Sequence, residues 1–70
     1  MRKQIGKYVY CLKEDGNIDV LFNEGSDEHL IMVFIKRGAQ IYSQGEVTNP
    51  DYIEIQTNAI LIFTGQITME

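Results

Sequence analysis

Apolar and polar residues alternate along much of the chain with the period of two that marks a half-buried strand. In the stretch from Lys7 to Lys13, Tyr8, Tyr10 and Leu12 share one face and Val9 and Cys11 the other. Glu14-Asp15-Gly16-Asn17 then reads as a hairpin turn, because Gly and Asn accept positive φ cheaply. Ile18, Val20 and Phe22 alternate with Asp19, which predicts a second strand with one buried face. Asn23 to Glu28 reads as a polar loop around Gly25. His29 to Lys36 is almost continuously apolar, the pattern of a strand covered on both faces. A helix is the rival there, but eight residues without a cap are few for one.

The second half continues in the same style. Lys36-Arg37-Gly38 turns the chain into Ala39 to Gln44, and Gly45 to Asp51 is a longer loop in which Asn49-Pro50-Asp51 fits a type I turn. From Tyr52 to Thr57, Ile53 and Ile55 alternate with Glu54 and Gln56. Ala59 to Thr64 is strongly apolar, and Gly65 breaks it before a short closing strand, Gln66 to Met69. Ile, Val and Thr number 10, 4 and 4, against six Ala plus Leu. Branching at Cβ suits the pleated surface of a strand. The expectation is an all-β fold: a small antiparallel β-sandwich of about seven strands, one domain over residues 1–70.

Length makes self-association attractive. A chain of 70 residues buries only about 60% of its unfolded surface, so such domains lean on disulfides, metals or oligomerisation. One cysteine, Cys11, and one histidine, His29, exclude an internal disulfide and disfavour a protein-only zinc site. A homo-oligomer remains. The longest apolar run, Leu30 to Ile35, is far too short to span a membrane, and no signal-peptide core forms near the amino end. The lack of a disulfide framework fits the cytoplasm.

Charge is unevenly spread. The net charge is −4, all six bases lie at or before Arg37, and residues 38–70 hold four acids and no base. A protein that grips nucleic acid through phosphates needs a basic stripe. Here the sole candidates are the amino end and the Lys36–Arg37 pair.

Catalytic chemistry finds little footing. A nucleophile needs a base held by an orienting group, and Cys11 and His29, the only candidates, both fall inside predicted strands. Glu14/Asp15, Asp27/Glu28 and Asp51/Glu54 pair carboxylates, but on turns or open strand faces. No phosphate loop, dinucleotide fingerprint, calcium loop or Cys/His metal spacing is present. The expectation is a protein that is not an enzyme and carries no cofactor.

One register of motifs goes further. Glu14-Asp15-Gly16 is followed by Glu24-Gly25-Ser26-Asp27, then Lys36-Arg37-Gly38, Gln44, Ile53-Glu54-Ile55 and Ala59-Ile60-Leu61. This order resembles the trp RNA-binding attenuation protein family (TRAP). The resemblance spans about residues 7 to 69 with two compensating gaps, and its motifs are turn signals taken singly. It implies a seven-stranded antiparallel subunit that joins its neighbours in a ring. It also implies tryptophan held between subunits and single-stranded RNA wound around the rim.

Matched by position, Gly25, Ser26 and Asp27 correspond to the loop that closes over the ligand. Gln44 corresponds to a polar pocket residue, and Thr48 to a threonine nearby. The family has threonines where this chain has Asn23 and Glu28, and basic RNA-contacting residues where it has Glu54 and Gln56. The resulting expectation is a TRAP-like regulatory binding protein with a small, tryptophan-like ligand at subunit interfaces. The charges predict no tight RNA binding, with Lys36 and Arg37 as the one alternative basic rim. A small acidic protein-binding module, an inhibitor or nucleic-acid mimic, is the competing expectation.

Overall fold

The structure, a computed structural model, describes residues 1–45 and 50–69. Five strands form one antiparallel sheet in chain order: β1 (Arg2–Ile5), β2 (Tyr8–Leu12), β3 (Ile18–Glu24), β4 (Asp27–Arg37) and β5 (Gln40–Gly45). Among the described residues a single helix, α1 (Tyr52–Phe63), follows.

Three of the four hairpins share one device. Ile5 pairs with Tyr8, Glu24 with Asp27 and Arg37 with Gln40, so each loop is two residues long. Each begins with a glycine at φ near +60°: Gly6, Gly25 and Gly38. A positive φ at the first loop position alone is the type II′ pattern, whose twist matches that of the flanking strands. The polar loop expected over Asn23 to Glu28 therefore shrinks to Gly25 and Ser26, with strand on either side. The fourth hairpin is wider. Gly16 N–H bonds to the Lys13 carbonyl at 3.0 Å, and Gly16 at φ 88° returns the chain to β3.

The core lies between one face of the sheet and the helix. Tyr10, Ile18, Val20, Met32, Phe34 and Ile55 are fully buried, with Tyr8, Ala59 and Ile62 beside them. Each such aliphatic or phenyl side chain contributes about 1.5–3 kcal/mol by leaving water. Tyr10 keeps its hydroxyl satisfied by accepting a hydrogen bond from Asn58 Nδ2 at 3.1 Å. Burial raises its pKa above the ordinary tyrosine value, partly countered by that bond. Tyr8 and Phe22 pack at a 47° tilt, 5.8 Å between ring centres.

The two strands expected over Tyr52–Thr57 and Ala59–Thr64 are one helix, so the fold is a sheet and a helix rather than a seven-stranded sandwich. Alternation of Ile53 and Ile55 covers four residues only. Ile55, Ala59 and Ile62, at i, i+4 and i+7, cover two turns and are the residues that are buried. Burial thus outweighs the β preference of a segment rich in isoleucine. Both ends carry helix signals that the strand reading passed over. Pro50 and Asp51 precede the first turn, with Glu54 three residues on.

At the far end Gly65 N–H bonds to Ile62 O at 3.1 Å and Gln66 N–H to Leu61 O at 2.8 Å. With Gly65 at φ 77°, this pair of bonds is a Schellman cap. Gln66 to Met69 forms no strand. Instead Ile67 and Met69 pack against the core, and Lys3 Nζ donates to the Thr68 carbonyl at 3.2 Å.

Two further corrections concern the strands. Arg2–Ile5 is a strand that the apolar pattern does not predict, because Arg2, Lys3 and Gln4 leave it a single apolar position. And β4 is covered on one face, not both. Met32 and Phe34 are buried, while Ile31, Val33 and Ile35 are half-buried and Leu30 is exposed.

Candidate binding surface

Pairing register fixes what stands on the face away from the helix. One row runs Gln4, Val9, Leu21, Leu30; the next runs Arg2, Cys11, Asp19, Val33, Gln44; beyond them Ile35 pairs with Tyr42. Strand alternation puts these on the side opposite Tyr10, Val20 and Phe34. Leu30 is 57% exposed and Tyr42 49%. An apolar sheet face therefore stands without a covering layer among the described residues.

That face curls. Arg2 on β1 and Glu28 on β4 form an ion pair across it, although β2 and β3 lie between them. Three strand spacings are about 14 Å, too far for the two side chains to span over a flat sheet. The sheet's twist and coil bring β1 and the start of β4 together, and Val9 in the intervening row is only 3% exposed. Glu28 raises the Arg2 pKa through the hydrogen bond first and the charge second. A second pair, Lys13 Nζ to Asp19 Oδ1 at 3.3 Å, neutralises another acid on this side.

A β-bulge shapes the open half of the trough. The register between β3 and β4 shifts after Val20, so that Ile31 is the extra residue. Its carbonyl approaches β5 so closely that a Cβ on Gly45 would lie 2.2 Å from it. Gly45, at φ 137°, is the residue that admits this approach.

Of the residues singled out from sequence, Arg37 and Gln44 come together, lining a groove of about 320 Å³ with Ile35, Tyr42 and Ser43. Gly25 and Ser26 form an exposed hairpin tip and Asp27 opens β4. Gln44 pairs with Val33, six residues further along β4, or about 20 Å away. Within one chain, then, the Gly25–Asp27 loop and Gln44 are separate. Thr48 lies outside the described residues.

Lys36 and Arg37 point to opposite faces. Lys36 Nζ sits 6.0 Å from the centre of the Phe63 ring, on the helix side, so the pair makes no joint basic patch. Cys11 and His29 are likewise on opposite faces, by the rows to which they belong. Asp51 Oδ2 accepts a 2.7 Å hydrogen bond from the Tyr8 hydroxyl and lies 3.9 Å from Lys7 Nζ, which ties the start of α1 to the sheet. Among the described residues, no three His, Cys, Asp or Glu side chains are grouped to hold a metal ion. Nor is any helix long and apolar enough to cross a membrane.

Sequence reasoning missed this surface by assigning it a cover. The signal was available: Leu30 to Ile35 offers apolar residues to both faces, and a single helix covers only one. Comparison with protein-family models, with curated proteins and with solved structures finds no match for the chain.

Proposed function

We propose that this chain is a non-enzymatic, self-assembling binding protein of the regulatory, TRAP-like kind. The observation that carries the reading is the apolar, uncovered sheet face built from Leu21, Leu30, Val33, Ile35 and Tyr42. Exposed apolar area of this kind marks an interaction surface. A 70-residue domain gains proportionally more than a large one from covering it.

A small ligand belongs at the boundary between protomers. The Gly25–Asp27 loop and Gln44 are about 20 Å apart along β4, so only two protomers can bring them into one pocket. RNA is outside the reading: no Lys or Arg follows Arg37, and Lys36 is engaged with Phe63.

Native mass spectrometry over a dilution series, with and without a panel of indole and amino-acid ligands, tests both parts. The expected result is a closed oligomer that persists at micromolar protein and takes up ligand in proportion to its subunits. A monomer throughout contradicts the reading.

A further inference from the structure

The helix carries a second apolar surface, on the opposite side of the molecule from the open sheet face. Ile53, Thr57, Ile60 and Thr64 follow at i, i+4, i+7 and i+11, and all four are exposed, Ile53 at 76% and Ile60 at 38%. This spacing draws one stripe along the helix, and the stripe bears no charge. It faces away from Ile55, Ala59 and Ile62, which hold α1 to the sheet.

We infer that the α1 stripe of one protomer seats in the open trough of the next, a head-to-tail contact between copies of this chain. The inference rests on the self-assembly proposed above and specifies its geometry. Three observations favour this occupant.

Shape is the first. The Arg2–Glu28 pair and the burial of Val9 close the β1 side of the trough, so the open part runs along β4 from Leu30 to Ile35 beside Tyr42, about 16 Å of strand against about 18 Å for a twelve-residue helix. The second is charge. The trough carries Arg2, Lys13 and Arg37 against Asp19 and Glu28, and α1 carries Glu54 and no base. With Arg2 paired to Glu28 and Lys13 to Asp19 inside the trough and no charge on the stripe, the contact buries no like charges, in a chain whose net charge of −4 opposes the docking of its acidic surfaces on one another. Size is the third. The protomer measures 35 × 27 × 19 Å. Only its broad faces approach the roughly 800 Å² per partner of a standard interface.

A head-to-tail contact uses two different surfaces, so it propagates. It closes into a ring if the rotation per step permits and otherwise extends as a filament. It also has a signature that a two-fold contact lacks: a protomer damaged on one surface keeps the other intact.

The experiment is sedimentation velocity on wild type, on Ile53→Asp, on Tyr42→Asp and on an equimolar mixture of the two variants. Circular dichroism confirms folding, and Leu30→Asp replaces Tyr42→Asp should that variant fail to fold. Either variant alone is expected to sediment as a monomer. The mixture is expected to form a dimer and nothing larger, because one intact stripe meets one intact trough and the chain then terminates. A mixture that stays monomeric overturns the head-to-tail contact while leaving self-assembly standing. So does an Ile53→Asp protein that assembles like wild type. A wild type that is monomeric across the micromolar range overturns the contact and the proposed function together.

Discussion

The two faces of the sheet are built from the same strands and from nearly the same residue types, yet they end in different states. Toward the helix, Tyr10, Ile18, Val20, Met32 and Phe34 lose essentially all contact with water. On the other side Val9 alone is buried, beneath the Arg2–Glu28 pair, while Cys11, Leu21, Val33 and Ile35 are left half-buried and Leu30 and Tyr42 more exposed still. A strand alternates its side chains whether or not both sides find cover, and one twelve-residue helix covers a single side. Apolar surface left over in this way is the raw material of association. One face specifies the fold, and the other is the surface proposed to meet a second copy.

Substitutions that break the covered face should have the largest effect. Phe34→Ala removes a fully buried ring and is expected to cost about 3–5 kcal/mol, enough to unfold much of a domain this small. Urea denaturation of the purified variant measures it. Ile55→Ala tests the helix side of the same core and is expected to lose about 2–5 kcal/mol.

Next comes the bulge that separates the two halves of the trough. Gly45→Ala would push a Cβ to 2.2 Å from the Ile31 carbonyl at a backbone angle favourable only to glycine. A loss of more than about 1 kcal/mol is expected, read as a lower melting temperature. A melting curve unchanged from wild type would show that the bulge does not hold β5 in this register.

Smaller effects sharpen the comparison without breaking it. Tyr10→Phe keeps the ring and removes the hydroxyl that accepts from Asn58; about 0.5–1.5 kcal/mol should go. The same hydroxyl makes stability depend on pH. Its pKa is raised in the folded state by burial, so the unfolded chain ionises first as the pH passes about 10. The unfolded state then binds fewer protons than the folded one, and stability falls with rising pH in that range. Titrating the melting temperature of wild type against Tyr10→Phe between pH 8 and 11 isolates the effect, since the variant should lose the Tyr10 share of the decline.

How far the sequence discloses all this depends on the region. From Lys7 to Gln44 apolar runs, alternating in β2 and β3 and continuous in β4, are separated by turns that carry glycine where positive φ is needed, so β2 to β5 are legible within a few residues. β1 is not, because an edge strand with Arg2, Lys3 and Gln4 in sequence shows no apolar period. The helix misleads for a different reason. Ile53, Ile55, Ile60 and Ile62 favour a strand residue by residue. Only the joint spacing of Ile55, Ala59 and Ile62, framed by Asp51 and Gly65, reveals the turn of a helix. The open face was legible as composition and illegible as a surface: the run from Leu30 to Ile35 shows apolar residues on both sides without showing how many layers cover them. Gly25, Ser26, Asp27 and Gln44 follow from a resemblance rather than from local physics, and in a single chain the fold sets the Gly25–Asp27 loop apart from Gln44.

The division of labour between the two faces can be tested side chain by side chain. Hydroxyl-radical footprinting, run on wild-type protein from nanomolar to high micromolar concentration, reports the solvent exposure of each reactive residue at each concentration. Tyr42, Leu30, Ile53 and Ile60 are expected to lose reactivity together as concentration rises, while Tyr10 and Phe34 stay protected throughout. Reactivity at Tyr42 and Leu30 that is high and independent of concentration would contradict the claim that the open face is completed by a second copy of the chain.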